Sequence, residues 1–214
     1  MYNRLQYISQ GKDVNEHISN ITGALDGGCK WIQLRLKNIP LPMVPGAASR
    51  VKQLCDSYKA MFIVNDYIHA ANQSRADGVH LGLKDTSIAK ARIVLGPDKI
   101  IGGSANTYAD CLQRVNEGCN YIGLGPFKYT TTKEKLSPIL GVEGFRQIIS
   151  QLRQDNIPIP VYAIGGIGPD DIEELMDTGI YGIAVSGVIT NAADKKQIIQ
   201  LLNSKLNKEY VNHS

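Results

Sequence analysis

The sequence predicts an α/β protein built as a single (β/α)8 barrel (TIM barrel), and three observations support this prediction. Short apolar runs recur eight times along the chain. Amphipathic helical patterns separate most of these runs, and such alternation indicates a parallel sheet that eight strands can close into a barrel. No linker, low-complexity block or composition shift divides residues 1–214. We therefore expect one domain, with a frayed tail after about residue 207.

The predicted strands are short, and several of them end at glycine or at a polar residue. They cover residues 5–9, 31–36, 61–65, 78–81, 100–104, 121–124, 161–164 and 182–185. An open doubly wound sheet is less favoured, because it usually has fewer strands and no GxGxxG motif opens the first predicted helix.

The helices between the strands are predicted from apolar residues that recur on one face. In the first helix, Asp13 and Glu16 are spaced as a capping box, and Gly27 predicts the end. Thr107 is expected to cap the fifth helix, and Pro169 suits the first turn of the seventh. Only a short helix fits between residues 66 and 76, and the later helices are predicted from two apolar sets: Val142, Phe145, Ile148, Ile149 and Leu152, and Ile198, Ile199 and Leu202.

Composition excludes several classes of function. Hydrophobic residues make up 43% and charged residues 20% of the chain, as in globular proteins. The net charge of +3 is spread out, without basic runs interleaved with aromatic residues, so no nucleic-acid partner is indicated. Neither a membrane span nor a signal peptide is recognisable. The four cysteines form no CxxC pair and indicate reduced thiols, so we expect a cytoplasmic protein, and a homo-oligomer is compatible with these features.

Polar residues lie where nearly every predicted strand ends, which is the end where barrel enzymes place their chemistry. The stretch after the sixth strand is the richest, since Gly125-Pro126 is followed by three threonines and Lys133. Hydroxyl and ammonium groups of this kind bind anions. The candidate residues at the strand ends are Gln33, Arg35, Lys37, Asn65, Asp66, His80, Asp85, Ser104, Thr130, Thr132, Lys133, Gly165, Gly166, Val185 and Ser186.

Each candidate also has a structural interpretation. Gln33 and Arg35 are compatible with a charged layer inside the barrel. Asp66 and Asp85 are each placed to cap the helix that follows. For His80 we favour a core histidine whose hydrogen bonds are satisfied within the protein.

The functional interpretation joins these groups into one site. Mg²⁺ usually takes one or two carboxylates and completes its shell with water and substrate phosphate, which predicts a magnesium site at Asp66 and Asp85. Backbone N–H groups at Gly166 and Ser186 suit a separate phosphate, because barrels often bind phosphate after strands seven and eight. The site therefore suits two small-molecule substrates. A diphosphate substrate would bind near the metal, and a monophosphate substrate would bind near Gly166 and Ser186.

Eight segments together resemble thiamine phosphate synthases, in order and in register from about residue 31 to the end of the eighth strand. They are QLRLK at 33–37, VNDY at 64–67, DGVHLGLKD at 77–85, GPDKIIGGSAN at 96–106, YIGLGPFKYTTTK at 121–133, LGVEG at 140–144, AIGGI at 163–167 and AVSGVI at 184–189.

The resemblance implies a Mg²⁺-dependent transferase that joins hydroxymethylpyrimidine diphosphate to thiazole phosphate and releases pyrophosphate. It implies that the segment from Gln33 to Lys37, with Asn65, Ser104 and Lys133, holds the pyrimidine diphosphate, and that Asp66 and Asp85 hold the metal. It further implies that the thiazole phosphate is held by Thr130, Thr132, Gly166, Val185 and Ser186, beside Gly165. Arg35, Lys37, Ser104 and Lys133 are the expected catalytic groups.

The chain departs from the family pattern at three places near the expected site. Tyr67 replaces an arginine, Leu83 replaces a glutamine, and Lys128-Tyr129 replaces Phe-Pro. The altered loop before Thr130 leaves the exact thiazole substrate open. No expected site residue is lost at these positions.

Three alternatives remain at this point. A thiazole tautomerase of the same fold commonly lacks the Thr-x-Thr-Lys loop, which is present here. A non-catalytic protein that binds thiamine phosphate needs neither Asp66 nor Asp85. A sugar-phosphate isomerase or epimerase needs a facing acid–base pair, and His80 has no evident carboxylate partner in the sequence.

Overall fold

A computed structural model describes residues 2–130 and 137–208. The predicted site residues Thr132 and Lys133 lie outside these ranges, as does most of the predicted frayed tail. The assignment of all of residues 1–214 to one domain stays a prediction.

The described residues form a closed barrel of eight parallel strands in sequence order, with β1 paired to β8, which confirms the predicted fold class. The strands are β1 (Leu5–Ile8), β2 (Trp31–Leu34), β3 (Met61–Asn65), β4 (Gly78–Leu81), β5 (Ile100–Ala105), β6 (Tyr121–Leu124), β7 (Val161–Ile164) and β8 (Gly182–Val185). Strand β2 ends two residues earlier than predicted, because the Arg35 N–H bonds the Ser9 hydroxyl at 3.1 Å.

Helices cover the outside of the barrel between successive strands. They are α1 (Val14–Asp26), α2 (Val44–Ser57), α3 (Ile68–Gln73), α4 (Ile88–Leu95), α5 (Tyr108–Asn116), α6 (Gly141–Gln154), α7 (Ile172–Asp177), α8 (Gly187–Thr190) and α9 (Lys195–Leu206). Short 3₁₀ turns at Leu41–Met43 and Pro169–Asp171 precede α2 and α7. The main hydrophobic core lies between these helices and the outward-facing strand residues.

The predicted helix caps form with one difference. Asp13 accepts a hydrogen bond from the Glu16 N–H at 2.9 Å, as expected, but the Glu16 carboxylate accepts from the Lys12 N–H instead of returning to Asp13. At α5 the box is complete, because Thr107 and Asp110 each accept from the other's N–H. Helix α3 is short, as predicted.

The barrel interior has two chemically different halves along its axis. Its amino-terminal half is packed with aromatic rings: Trp31, Tyr121 and Tyr162 are fully buried, with ring centroids 5.0–5.6 Å apart. Gly102 leaves room for them, since a Cβ there would lie 2.1 Å from the Tyr121 ring. The carboxyl-terminal half carries buried polar residues, among them Gln33, Asn65 and His80. Within the described ranges, no helix is long and apolar enough to span a membrane.

Candidate active site

A pocket of about 900 Å³ opens at the carboxyl-terminal ends of the strands. Every predicted site residue within the described ranges lines it. These residues are Gln33, Arg35, Lys37, Asn65, Asp66, Asp85, Ser104, Thr130, Gly165, Gly166, Val185 and Ser186. The barrel thus brings together groups from seven strand ends that are up to about 150 residues apart in the sequence.

Two amides occupy the pocket floor. The Gln33 Nε2 donates to the Asn65 Oδ1 at 2.7 Å, and both side chains are buried. The Gln33 Oε1 is buried and has no hydrogen-bond partner among the described residues. Because an unpaired buried acceptor is costly, this oxygen is suited to a donor from a bound ligand.

The predicted carboxylates meet beside a cation. Lys37 Nζ lies 3.1 Å from Asp66 Oδ2. Burial raises the pKa of Asp66, the neighbouring Asp85 carboxylate raises it further, and Lys37 opposes both. Two carboxylates held together in this way favour binding of a cation.

Neither carboxylate caps a helix, so the structural interpretation of both was wrong. Asp66 has φ of 65°, an uncommon left-handed conformation for a residue other than glycine, and Tyr67 rather than Asp66 precedes α3. Asp85 accepts from the Gly82 N–H at 2.6 Å, while Ser87 caps α4. Within the described ranges, no cluster of three or more His, Cys, Asp or Glu side chains forms a metal site. Oxygen ligands in this number suit a hard cation that keeps part of its water shell.

His80 is a satisfied buried histidine, as favoured, but it also lines the pocket. Its Nδ1 lies 3.0 Å from the Tyr121 hydroxyl, and its Nε2 lies 3.0 Å from the hydroxyl of Ser104. Gln6 reaches the same tyrosine hydroxyl at 3.4 Å. Sequence analysis did not include Gln6 or Tyr121 in the site. Strand periodicity could have found them, because alternate residues face the barrel interior.

The loops after β6 and β7 pair with one another at the opposite side of the pocket. The Phe127 N–H donates to the Ile164 carbonyl at 2.8 Å, and the Lys128 N–H to the Gly165 carbonyl at 3.0 Å. Gly166 has φ of 72°, and a Cβ there would lie 2.7 Å from the Tyr129 carbonyl oxygen. Only glycine fits this close approach without moving a loop.

One departure from the family pattern, Lys128, links two loops beside the pocket. Lys128 forms an ion pair with Asp171 at 2.5 Å, and Asp171 also accepts from the Gly168 N–H at 2.9 Å. This links the loop after β6 to the turn before α7. Leu83 and Tyr129 are exposed residues that line the pocket.

Ser186 faces the pocket, but its hydroxyl bonds elsewhere. Its Oγ donates to the Ile8 carbonyl on β1 at 2.6 Å. Backbone N–H groups near the start of α8 are therefore the donors that this loop can offer to an anion.

These features define a (β/α)8 barrel with one pocket that joins buried amides, paired carboxylates and glycine-rich loops. Comparisons with known proteins narrow this class. Residues 5–189 match the family model described as thiamine monophosphate synthase. The chain therefore belongs to this family.

Individual relatives agree with the family model. A thiamine-phosphate synthase of Flavobacterium psychrophilum is 55% identical over 96% of this chain and its own full length, and one from Phocaeicola vulgatus is 48% identical over 89% of this chain and 91% of its own. The solved thiamine phosphate pyrophosphorylase of Pyrococcus furiosus has a TM-score of 0.81 and 32% identity, covering 95% of each chain. The predicted family and the predicted enzyme class, a transferase acting on small molecules, are confirmed.

Proposed function

We propose that the chain joins hydroxymethylpyrimidine diphosphate to thiazole phosphate, giving thiamine phosphate and pyrophosphate. One observation carries the proposal: a single pocket holds buried amides, a carboxylate pair beside Lys37, and the Gly165-Gly166 loop. These groups match a polar ring, a diphosphate and a monophosphate, respectively. Family membership supports the same reaction.

The pyrimidine diphosphate is proposed to bind with its ring on the pocket floor. The unpartnered Gln33 Oε1 can accept from an amino group on the ring, and Asn65 holds the Gln33 side chain in place. Ser104, held by His80, stands above the same floor. Arg35, Lys37 and Lys133 are proposed to surround the diphosphate.

The thiazole phosphate is proposed to bind across the pocket. Thr130, Gly165, Gly166, Val185 and Ser186 line that side of it. The left-handed Gly165 and Gly166 let the backbone approach an anion closely. Thr132 is included on the resemblance alone.

A magnesium ion fits the carboxylate pair. Asp66 and Asp85 would hold it, because the two carboxylates are neighbours and a cation between them offsets their mutual repulsion. When bound, the ion supplies positive charge that stabilises the departing diphosphate.

The proposed chemistry is departure of pyrophosphate followed by attack. The methylene C–O bond breaks, and its electron pair leaves on the diphosphate oxygen. The aminopyrimidine ring shares the positive charge left on the carbon, and the thiazole nitrogen then donates its lone pair to form the C–N bond. Arg35 and Lys37, together with Lys133 on the resemblance alone, are proposed to stabilise the growing negative charge electrostatically. The thiazole nitrogen is already a nucleophile, so the site needs no general base.

The test is to mix both substrates with Mg²⁺ and measure thiamine phosphate and pyrophosphate. We expect both products in equal amounts. Isomerisation of a thiazole carboxylate phosphate without any joining reaction would instead establish the tautomerase alternative. Binding of thiamine phosphate without turnover would establish the non-catalytic one.

The proposed setting follows from the sequence and stays a prediction. We propose a cytoplasmic enzyme without nucleic-acid or membrane partners, working as a monomer or as a homo-oligomer. Sedimentation of the purified protein measures the assembly state directly.

A further inference from the structure

The connection between β6 and α6 carries site residues but contains no regular secondary structure in its described part. It runs from Gly125 to Leu140, and both Thr130 and Ser137 on it line the pocket. Thr130 keeps one orientation towards the pocket only if both ends of the connection are held in place.

One side chain from another loop bonds both ends of this connection. Asn106 directly follows β5 and is 7% exposed. Its Nδ2 donates to the Gly125 carbonyl at 3.0 Å and to the Pro138 carbonyl at 2.9 Å. Gly125 and Pro138 are 13 residues apart, so one amide group joins the two ends of the connection.

Asn106 is itself held from behind. Its backbone N–H donates to the Asp110 carboxylate at 2.9 Å, and Asp110 belongs to the capping box of α5. Backbone bonds complete the closure, since the Leu140 N–H donates to the Pro126 carbonyl at 3.0 Å and the Gly141 N–H to the Phe127 carbonyl at 3.1 Å. The position of the β6–α6 connection therefore depends on the N-terminal cap of α5, the helix that follows the neighbouring strand β5.

We propose that Asn106 is a positioning residue for the transferase, which sets the geometry of Thr130 and hence the affinity for the thiazole phosphate. This inference rests on the proposed function. Asn106 itself is absent from the residues that line the pocket, so it acts through the loop and touches no substrate.

The chemistry of the position requires an amide. Two carbonyl oxygens need two N–H donors from one small side chain, and the carboxamide NH₂ group supplies both. Aspartate has the same shape but presents only acceptors when ionised, so it repels both carbonyls. Serine keeps one donor and cannot bond both ends.

The experiment compares Asn106→Ala, Asn106→Ser and Asn106→Asp with the unmodified enzyme in steady-state assays. Two lost hydrogen bonds of ordinary strength predict a KM for thiazole phosphate raised about tenfold in the alanine variant. We expect a smaller rise for serine and a larger one for aspartate. The KM for pyrimidine diphosphate should change less than about twofold, because the amide floor is untouched.

Asn120→Ala is the matched control. Asn120 lies between the same two strands at the other end of the barrel, where its Oδ1 accepts from the Ile101 N–H at 2.8 Å and from Arg92 at 2.8 Å. Its loss should lower the melting temperature about as much as Asn106→Ala does, while leaving both KM values unchanged.

Three outcomes decide the matter. A selective rise in the thiazole phosphate KM, ordered serine, alanine, aspartate, supports the inference. Equal changes in both KM values, or the same KM in Asn106→Ala as in Asn120→Ala, overturn it. If the unmodified protein makes no thiamine phosphate, the proposed function itself fails; calorimetric titration of thiazole phosphate into the same variants still tests the positioning role.

Discussion

Two side chains of strand β2 point into the same barrel but face opposite ends of it. Trp31 and Gln33 are two residues apart, both nearly fully buried, and each has one polar atom without a partner among the described residues. The Trp31 Nε1 is enclosed by Tyr121, Tyr162 and Tyr2 at the amino-terminal end. The Gln33 Oε1 lies at the pocket floor.

The two unpaired atoms have different consequences, because one only lowers stability and the other is available to bind a ligand. At the closed end, no ligand can reach the indole N–H, so its missing hydrogen bond only lowers stability. At the open end, the same kind of defect is exposed to a pocket of about 900 Å³ and can be corrected by a substrate. A buried unpaired atom thus indicates function only where a cavity adjoins it.

The largest effect is expected from emptying the closed end. Trp31→Ala removes a fully buried indole between two aromatic rings and should lower the free energy of unfolding by about 3–5 kcal/mol. Denaturant unfolding followed by circular dichroism measures it. Trp31→Phe is the control, and it should cost much less because it keeps an aromatic ring and removes the unpaired N–H. Equal losses in both variants would contradict the packing account.

At the open end, Asp66→Asn should lower turnover without lowering stability, whereas Trp31→Ala lowers stability. Turnover should fall roughly 10²–10³-fold, as for removal of a preorganised stabilising group. The melting temperature of the metal-free protein should not fall, because burial and Asp85 already disfavour the Asp66 charge. Asp56→Asn, which removes an exposed carboxylate paired with Lys52 on α2, should leave turnover unchanged. A large stability loss in Asp66→Asn would show that the carboxylate serves the fold.

Alkaline pH should weaken the fold through the buried cysteines. Burial raises the pKa of Cys29, beside Trp31, from 9.0 to about 11, and that of Cys55 to about 12. Since the folded pKa exceeds the unfolded value, this stability is fully present below 9.0 and is lost as pH rises towards 11–12. Urea midpoints across this range measure the loss, which should be smaller in Cys55→Ala.

The smallest effect should come from the ion pair that joins the loop after β6 to the turn before α7. Lys128 is about half exposed, so its pair with Asp171 is worth only ~0.2–1 kcal/mol. Lys128→Ala should raise the KM for thiazole phosphate at most about fivefold, and added salt should shrink the difference from the unmodified enzyme. Arg146→Ala removes a similarly exposed pair with Glu143 on α6. It should change neither the KM for thiazole phosphate nor the dependence of that KM on salt. A salt-independent difference would rule out an electrostatic link.

Sequence reasoning located the strands and most of the pocket because both depend on local patterns. Apolar runs and the polar residues that follow them are visible in the chain, and parallel strands bring those ends together. It could not find the bonds from Asn106 to Gly125 and Pro138, since the partners are 19 and 32 residues away. The dual position of His80, bonded to Tyr121 and Ser104 yet facing the pocket, likewise depends on three strands at once.

The chain contains a single tryptophan, and it lies at the closed end. Its emission comes from a rigid, dry site with the Tyr121 and Tyr162 rings about 5 Å away, so light absorbed by these tyrosines reaches the indole efficiently. The fluorescence of this protein should therefore report whether the barrel is folded.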